Sequence, residues 1–318
     1  MKFSIEKSDL QANIQSLYNI VPSKNTMPIL TNYLIEANSE KNKMKFTATD
    51  LEITVVVEFE ASIAESGKIA VSAKNLNEII TTLPEAIVHF ILEEDNLKIL
   101  CEKSKFNLLC ADHSQFPLIP QSDMNNVIEL DAKMFKKMID NTHFAVSNEI
   151  NRPIFTGIYW KMDADKQIMV ATDGKKIAEF KLNKQIDIPE AIDQIIPTKG
   201  LLFLDKVISE NIPIVSVLIE SNRVMFTYGN YIIFTHIIEG RFPDYTKAIP
   251  VANNNILKIN KNSLKNAVKR VSLLASEETY KIKFNVSQSQ LEINSMKREE
   301  GKANEIIDDF KYEGDDLE

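Results

Sequence analysis

The sequence predicts an α+β fold built as a tandem repeat of similar domains, with helices packed on one face of antiparallel sheets. Three observations predict it. The 318 residues exceed what one hydrophobic core usually serves, short motifs recur about 125 residues apart, and helical apolar stripes alternate with short strand patterns. Charged residues make up 26% and hydrophobic residues 44%, which is ordinary globular usage and excludes a disordered or coiled-coil chain.

The repeat is visible in matched strings that keep their order and spacing. Residues 28–31 (Pro-Ile-Leu-Thr) recur as 153–156 (Pro-Ile-Phe-Thr), a step of 125. The closing Phe116-Pro117 recurs as Phe242-Pro243, a step of 126. Two further matches are Phe46-Thr47-Ala48-Thr49-Asp50 with Met169-Val170-Ala171-Thr172-Asp173, and Ser72-Ala73-Lys74 with Thr198-Lys199. Two complete units are therefore expected.

A third unit opens at Ile256-Leu257-Lys258-Ile259-Asn260, which repeats the strand-then-cap pattern of residues 128–131. It runs for about half of the period. The predicted domains are residues 1–122 (first repeat), 123–252 (second repeat) and 253–318 (third repeat, N-terminal half).

Each repeat reads as strand, helix, strands, second helix and further strands. Asp131 is the expected N-cap of a helix that reaches about Phe144. The first helices carry these core-facing stripes: Leu10, Ile14, Leu17, Tyr18 and Val21; Phe135, Met138, Ile139 and Thr142; Leu264, Ala267, Val268, Val271 and Leu274. Second helices are expected over 74–83 and 199–208. Strand patterns cover 44–57, 97–109, 215–219, 224–227 and 231–237.

Several functional classes lack their sequence signals. With only eight glycines, the chain has no Rossmann, P-loop or G-x-S-x-G string. Cys101 and Cys110 are expected to be reduced thiols. The first twenty residues lack the apolar core of a signal peptide, and no apolar run is long enough to span a membrane, so we expect a cytoplasmic protein.

The titratable residues offer no catalytic constellation. The four histidines (His89, His113, His143 and His236) show no metal-ligand or triad spacing. Asp50 and Asp173 form a conceivable carboxylate pair for a hydrolase, which stays an alternative, but they occupy equivalent places in two repeats. We expect no catalytic residue, no metal site and no cofactor.

Lysines are frequent on the polar faces of the predicted helices, although 37 cations against 45 anions give the chain a net charge of −8. They are Lys133, Lys136 and Lys137; Lys261, Lys265 and Lys269; and Lys74, Lys199 and Lys206. These faces are either ordinary solvated surfaces or a local phosphate-binding surface. Lysine is a flexible point charge, which suits contact with phosphates that does not depend on sequence.

The chain resembles the bacterial sliding clamp family, the β subunit of DNA polymerase III. The matching residues are Met1-Lys2-Phe3, Met27-Pro28-Ile29-Leu30, Ala48-Thr49-Asp50-Leu51-Glu52, Ala171-Thr172-Asp173-Gly174, Ile196-Pro197 and Glu239-Gly240-Arg241-Phe242-Pro243-Asp244-Tyr245. The resemblance extends to Glu318, and the C-terminal half of the family's third domain is expected to be missing.

The resemblance implies a DNA-clamp fold and a processivity factor. The family forms a head-to-tail homodimeric ring that encircles double-stranded DNA, with helices lining the channel and sheets outside. The implied partners are the DNA polymerase III α subunit, the clamp loader and other proteins with clamp-binding motifs. Implied DNA-facing residues are Lys24, Arg152 and Lys199, and the helix faces add Lys136, Lys137, Lys265 and Lys269.

Two further sites follow from the resemblance. The partner-peptide pocket is expected to involve Phe155, Thr172, Gly174, Lys175, Lys176, Ile177, Pro243, Lys247 and Ala248. The dimer interface is expected to join Phe106, Leu108, Lys103 and Lys105 of one copy to Leu273, Leu274, Glu299 and Glu300 of another. A protein-interaction scaffold that no longer encircles DNA is the alternative, because the third domain is expected to be incomplete.

Overall fold

The computed structural model describes residues 1–23, 26–122, 126–188, 191–277, 279–297 and 300–317. The chain divides into two units, Met1–Phe242 (the N-terminal unit) and Pro243–Glu318 (the C-terminal unit). Within the described ranges, the helices all fall short of the length and apolar character needed to cross a membrane.

Apart from the short α4, which was not predicted, the helices follow the predicted order within each repeat. In chain order they are α1 (Lys7–Ile14), α2 (Ala73–Thr82), α3 (Ala132–Asp140), α4 (Pro153–Thr156), α5 (Thr198–Val207) and α6 (Lys261–Val271). Asp131 is the N-cap of α3, as predicted, because its side chain accepts a 2.8 Å hydrogen bond from the Met134 N–H. Asn260 caps α6 in the same way.

The first predicted helix is shorter than the apolar stripe suggested. α1 ends at Ile14, and Leu17–Asn19 form a separate 3₁₀ turn. The change of helical period rotates Tyr18 out of the core, and it is 43% exposed. The prediction that Tyr18 faces the core was therefore wrong, whereas Leu10, Ile14 and Leu17 are buried as expected.

The strands of the N-terminal unit belong to both complete repeats. In the first repeat they are β1 (Lys2–Glu6), β2 (Asn32–Asn38), β3 (Lys43–Thr49), β4 (Ile53–Glu60), β5 (Ser62–Glu65), β6 (Gly67–Ser72), β7 (Ile87–Glu93), β8 (Asn96–Cys101) and β9 (Ser104–Ala111). In the second repeat they are β10 (Ile128–Asp131), β11 (Gly157–Met162), β12 (Lys166–Thr172), β13 (Ile177–Asn183), β14 (Ile192–Pro197), β15 (Ile214–Ile219), β16 (Arg223–Tyr228) and β17 (Tyr231–His236). The predicted ranges 44–57 and 97–109 are thus two hairpins.

One antiparallel sheet joins the two repeats. Its thirteen strands run in the order β10-β15-β16-β17-β4-β3-β2-β6-β9-β8-β7-β1-β5, and a separate four-stranded sheet has the order β13-β12-β11-β14. The junction is the pairing of β17 with β4, in which Ile233 lies opposite Val55 and Tyr231 opposite Val57. The backbone hydrogen bonds of one sheet therefore cross the boundary between repeats.

The main core of the N-terminal unit also spans both repeats. Phe46 and Phe90 of the first repeat and Trp160 and Phe226 of the second are fully buried members of one apolar cluster. The helix pairs α1/α2 and α3/α5 pack on this side of the sheets. Two small clusters lie on the opposite face of the long sheet, one around Leu34 and the other around Val56 and Phe234.

The C-terminal unit has a core of its own beneath α6. Its strands are β18 (Ile256–Ile259), β19 (Lys283–Val286), β20 (Leu291–Lys297), β21 (Gly301–Ile307) and β22 (Phe310–Glu313). They form a β18-β22 pair and a β19-β20-β21 sheet. Ala267 and Val271 of α6 are buried against Leu291 and Ile293, which matches the predicted stripe.

We predict that the two repeats of the N-terminal unit unfold together because they share a sheet and a core. Val55→Ala at the junction should cost about 2 kcal/mol and should shift the urea unfolding transition reported by Trp160 fluorescence. Val271→Ala, equally buried but in the C-terminal unit, is the matched control and should leave the Trp160 transition in place. An unchanged transition in Val55→Ala would mean that the repeats unfold separately.

Candidate functional site

The exposed helix faces differ in charge between the repeats. In the second repeat, α3 packs on α5, and Lys133, Lys137 and Lys206 are exposed on this pair. In the first repeat, the exposed face of α1/α2 carries Asp9 and Glu78 beside Lys74 and is not basic. This difference was not predicted, because it becomes visible only when burial separates the exposed positions of each helix from its core positions.

Two of the predicted DNA-facing lysines are engaged by carboxylates within the chain. Lys136 donates to the backbone oxygen of Asp205 at 2.5 Å and to its carboxylate at 2.7 Å, which ties α3 to α5. Lys199, at the start of α5, forms an ion pair with Asp50 of the first repeat. Both lysines keep a third or more of their side chain exposed, so an anion from solvent can approach each pair and compete with its carboxylate.

The other predicted DNA-facing residues have varied surroundings. Lys137 lies 5.8 Å from the Phe180 ring centroid, and Arg152 lies 3.7 Å from the Glu149 carboxylate. Lys24 lies outside the described residues.

Helix α6 of the C-terminal unit carries the most basic exposed face. Lys261, Lys265 and Lys269 follow one another at intervals of four and are exposed, and none of the three forms an ion pair within the described ranges. Arg270, in contrast, is paired with Glu305. The three lysines are therefore unneutralised charges on one helix side.

The Thr-Asp motifs of the repeats form the same turn. Asp173 accepts hydrogen bonds from the Lys175 and Lys176 N–H groups at 2.8 and 2.9 Å, and the Thr172 hydroxyl donates to the Lys176 carbonyl oxygen. In the first repeat, Asp50 and Thr49 make the corresponding bonds. The prediction that these aspartates are repeat equivalents is confirmed.

The residue after each aspartate adopts a left-handed conformation. Gly174 has φ +87°, and its equivalent Leu51 has φ +78°. A left-handed residue other than glycine costs about 1–2 kcal/mol. The first turn therefore carries a strain that the second avoids.

Hydrogen bonding keeps the Asp173 carboxyl ionised. The N–H groups of Lys176 and Lys175, with the Lys176 ammonium at 3.3 Å, lower the pKa of Asp173 to about 2. The exposed side chains of Lys175 and Lys176 flank this turn. Its surface thus combines one fixed anion with two cations.

Several predicted pocket residues lie at one end of the four-stranded sheet. Thr172 ends β12 and pairs with Ile177, which begins β13. Arg152, which precedes α4, reaches the same end of the sheet, because a Cβ placed on Gly174 would lie 3.8 Å from its side chain. Phe155 of α4 makes an edge contact with Phe242.

The remaining predicted pocket residues, Pro243, Lys247 and Ala248, belong to the C-terminal unit. Lys247 lies 3.3 Å from the Asp244 carboxylate. The groove that would join them to Phe155 and Ile177 stays a prediction.

The predicted dimer-interface strand has an open edge. β9 pairs with β8 from Ser104 to Leu109, but with β6 only at Cys110 and Ala111. Within the described residues, the other edge of Ser104–Leu109 has no strand partner. Phe106 and Leu108 are half-buried against the core, whereas Leu109 is 75% exposed, a feature that the strand pattern alone did not reveal.

The predicted counterpart in the C-terminal unit also lies at a strand edge. β21 pairs with β20, and its second edge has no partner within the described ranges. Leu273 is 79% exposed beside this strand, and Leu274 is half-buried. Glu300 pairs with Lys297 at 2.7 Å, and Glu299 lies outside the described residues.

The chain matches three family models along its length. They describe the N-terminal, central and C-terminal domains of the DNA polymerase III beta subunit and match residues 1–120, 129–244 and 246–318. The beta sliding clamp of Bacillus subtilis is 32% identical over 331 residues, and that of Chlamydia muridarum is 29% identical over 323 residues. Each alignment covers 100% of this chain and 86% of the relative.

Solved structures agree with these matches. The DNA polymerase sliding clamp from Bacillus subtilis has a TM-score of 0.91 at 31% identity. A sliding clamp from Bartonella birtlesii, solved bound to griselimycin, has a TM-score of 0.93 at 28% identity. Both comparisons cover 100% of this chain and 86% of the other.

We predict that Asp173 stabilises its turn in a pH-dependent way. Its pKa is lowered from the ordinary 3.8 to about 2, so the stabilisation is complete above about pH 4 and is lost as the pH falls through about 2. Asp173→Ala should cost about 1 kcal/mol at neutral pH. The difference from wild type, measured by urea unfolding, should shrink between about pH 4 and pH 2.

Asp140→Ala is the control for this measurement, because no hydrogen bond to the Asp140 carboxylate is present in the described structure. A deficit of Asp173→Ala that stayed constant down to about pH 2 would contradict the prediction.

Proposed function

Because the chain belongs to the DNA polymerase III β-subunit family, it is a non-catalytic sliding clamp, and we propose that it holds duplex DNA through the lysines on its repeat helices. Its function is that of a processivity factor, a dimeric ring that tethers the polymerase to its template. DNA, the polymerase and the clamp loader are its partners. The single observation that carries the DNA proposal is the exposed lysine series of α6.

The lysine contacts are suited to sliding because each is weak and exchangeable. Lys265 and Lys269 of α6 are free of ion pairs in the described part of the chain, so we rank them first among the phosphate contacts. Lys136 and Lys199 must exchange Asp205 and Asp50 for a phosphate, which reduces the net gain from each contact. Lys137, Arg152 and Lys24 complete the proposed set.

Replacing Lys265 and Lys269 together by Ala should weaken duplex binding without changing sequence preference. Each lost phosphate contact should reduce the slope of log affinity against log salt by roughly 0.9. The measurement is a salt titration of fluorescence anisotropy on two unrelated duplexes. A Lys161→Ala/Lys311→Ala variant, with exposed lysines on strands, is the matched control. A loss on only one duplex sequence would contradict sliding.

We propose that the open edge of β9 pairs with the open edge of β21 from a second copy. The internal junction supplies the template. β9 of the first repeat and β17 of the second are equivalent strands, because each follows a two-residue hairpin loop. In β17, the edge that corresponds to the open edge of β9 pairs with β4. β4 and β21 are likewise equivalent strands, because each forms a hairpin with the strand before it. Repeat symmetry therefore predicts antiparallel pairing between the two open edges.

This template also assigns the faces of the proposed dimer interface. Phe106 and Leu108 occupy the core-facing positions of β9, and Ala303 and Ile307 those of β21, so these apolar residues would meet. Antiparallel pairing would bring Leu109 toward the start of β21, near Glu300. Lys103 and Lys105 would then lie toward the other end of β21.

Leu273→Asp should weaken self-association at least tenfold, because a charge would be buried beside the β21 edge. Leu273 is 79% exposed in one copy, so the folded copy should tolerate the change. Ile150→Asp, at an 88% exposed apolar position in the N-terminal unit, is the matched control. Sedimentation analysis at several concentrations measures the association. Equal association of both variants would exclude Leu273 from the interface.

We propose that partner peptides bind beside the Thr172–Ile177 turn. Ile177 is a 38% exposed apolar side chain next to the cations Lys175 and Lys176, which gives an anchor site with a basic edge. Phe155 and Gly174 lie at the same sheet end, and Pro243, Lys247 and Ala248 are the proposed contribution of the C-terminal unit.

A titration with a labelled peptide that carries the clamp-binding motif tests this site. Ile177→Ser should reduce affinity about tenfold, since a partly buried apolar contact contributes on the order of 1.5 kcal/mol. Ile214→Ser, at an apolar strand position that is 39% exposed, is the control and should bind like wild type. Equal affinities of Ile177→Ser and wild type would show that Ile177 is not part of the pocket.

We further propose the three-domain division at residues 1–122, 123–252 and 253–318, and a cytoplasmic location. The location is supported by the replication function, because bacterial DNA is replicated in the cytoplasm. The domain boundaries are supported by the positions of the matched motifs and of the capped first helices.

A further inference from the structure

A groove of about 830 Å³ lies on the long sheet of the N-terminal unit, on the face opposite the helices. Residues 113–121, which we call the strap, cross this face and form one wall. Strands β2, β3, β4 and β6 of the first repeat, the loop between β2 and β3, and β17 of the second repeat line the rest. The volume is within the range of about 300–1,000 Å³ that is typical of ligand sites.

The floor of the strap groove is apolar. Ile119 of the strap packs against both small clusters on this face, and Phe116 is buried. The other apolar lining residues are Leu34, Ala37, Val56, Ile232 and Phe234. Leu118 is 97% exposed at the edge and lies between Pro117 and Pro120, which restrict the backbone. An isolated surface Leu is common, but one beside an apolar groove extends its contact area.

The rim of the groove has more cations than anions. The described lining residues include four lysines (Lys41, Lys43, Lys45 and Lys68) and two carboxylates (Glu36 and Glu58), so their formal surplus is 4 − 2 = +2 on a chain of net charge −8. His113 also lines it. None of these lysines belongs to the helix faces assigned to DNA.

The pairing pattern shows which rim cations are available to a ligand. Lys68 pairs with Glu36 at 2.9 Å. Glu58 is shared, since it pairs closely with Lys45 and lies 4.0 Å from Lys43. Lys41 forms no ion pair with any described residue. Lys41 and Lys43 are therefore left to bind additional carboxylates.

We propose that the strap groove binds an extended acidic segment of a partner protein, with an apolar side chain on the floor and carboxylates at Lys41 and Lys43. An apolar anchor flanked by charges that complement the rim is the usual pattern of peptide recognition in a groove. Nucleic acid fits less well. Phe116 and Phe234 are 7% and 6% exposed and offer no ring face for base stacking, and none of the described lining residues is an arginine.

This site is separate from the partner-peptide pocket of the proposed function. The strap groove is formed entirely by the N-terminal unit, and its lining does not include Ile177 of the partner-peptide pocket. The two sites can therefore be tested independently in the same intact protein.

The test is selection from a phage-displayed library of short random peptides on the full chain, followed by anisotropy measurements with the selected peptides. Enriched peptides should carry at least two acidic residues beside an apolar residue. Lys41→Glu/Lys43→Glu and, separately, Leu118→Asp should each lower their affinity about tenfold, which is about 1.4 kcal/mol. Leu118 is exposed, so that variant should fold normally.

Three control measurements make the result decisive. Lys161→Glu, at an exposed lysine of β11 outside the groove, and Ile177→Ser should leave the affinity unchanged. Peptides that lose binding only in Ile177→Ser would belong to the partner pocket, which would support the proposed function and overturn this inference. Equal binding to all variants would also overturn it. So would a Lys41→Glu/Lys43→Glu protein that lost duplex DNA affinity but kept the peptides.

Discussion

The antiparallel pairing of β17 with β4 is the constraint on which the rest of the N-terminal unit depends. It continues one sheet across two repeats, so the helices of both repeats pack on the same face and the strap crosses the other. The lysines of α3 and α5 and the strap groove consequently lie on opposite faces of one rigid layer. The proposed contacts to DNA and the proposed contacts to a partner in the strap groove therefore need not compete for the same residues.

In the proposed DNA contact, intramolecular ion pairs moderate the affinity of the lysine surface. Lys199 is held by Asp50, and Lys136 by Asp205, so a phosphate must replace a carboxylate before either cation contributes. Lys199 and Lys136 keep 41% and 36% of their side chains exposed, so solvent screening weakens each ion pair and a phosphate can compete for the cation. A ring that moves along DNA requires such contacts, because tight contacts at fixed positions would stop it. The Lys199–Asp50 pair also stabilises the junction between repeats when no phosphate is bound.

The repeat, the helix caps and the order of elements could be predicted because they depend on local patterns. Asp131 at an N-cap and the recurring Thr-Asp turns are properties of a few adjacent residues. The partner of Lys199 could not be predicted, since Asp50 is distant in sequence and reaches it only through the junction. The prediction that Tyr18 faces the core was wrong because a 3₁₀ turn changed the helical period of an otherwise regular apolar stripe. The strap groove requires both the β17–β4 pairing and the course of the strap.

The proposed dimer interface uses the same edge chemistry as the internal junction. An open strand edge presents unpaired N–H and C=O groups, which is an aggregation hazard unless a defined partner covers it. β17 has β4 as its partner within the chain, whereas the described edges of β9 and β21 have none. Lys103 and Lys105 place charge at the β9 edge and disfavour unspecific pairing. In the proposed interface, a second copy supplies β21, which would satisfy these backbone groups and cover Phe106. The ring would then be closed by the same kind of strand pairing that joins the two repeats.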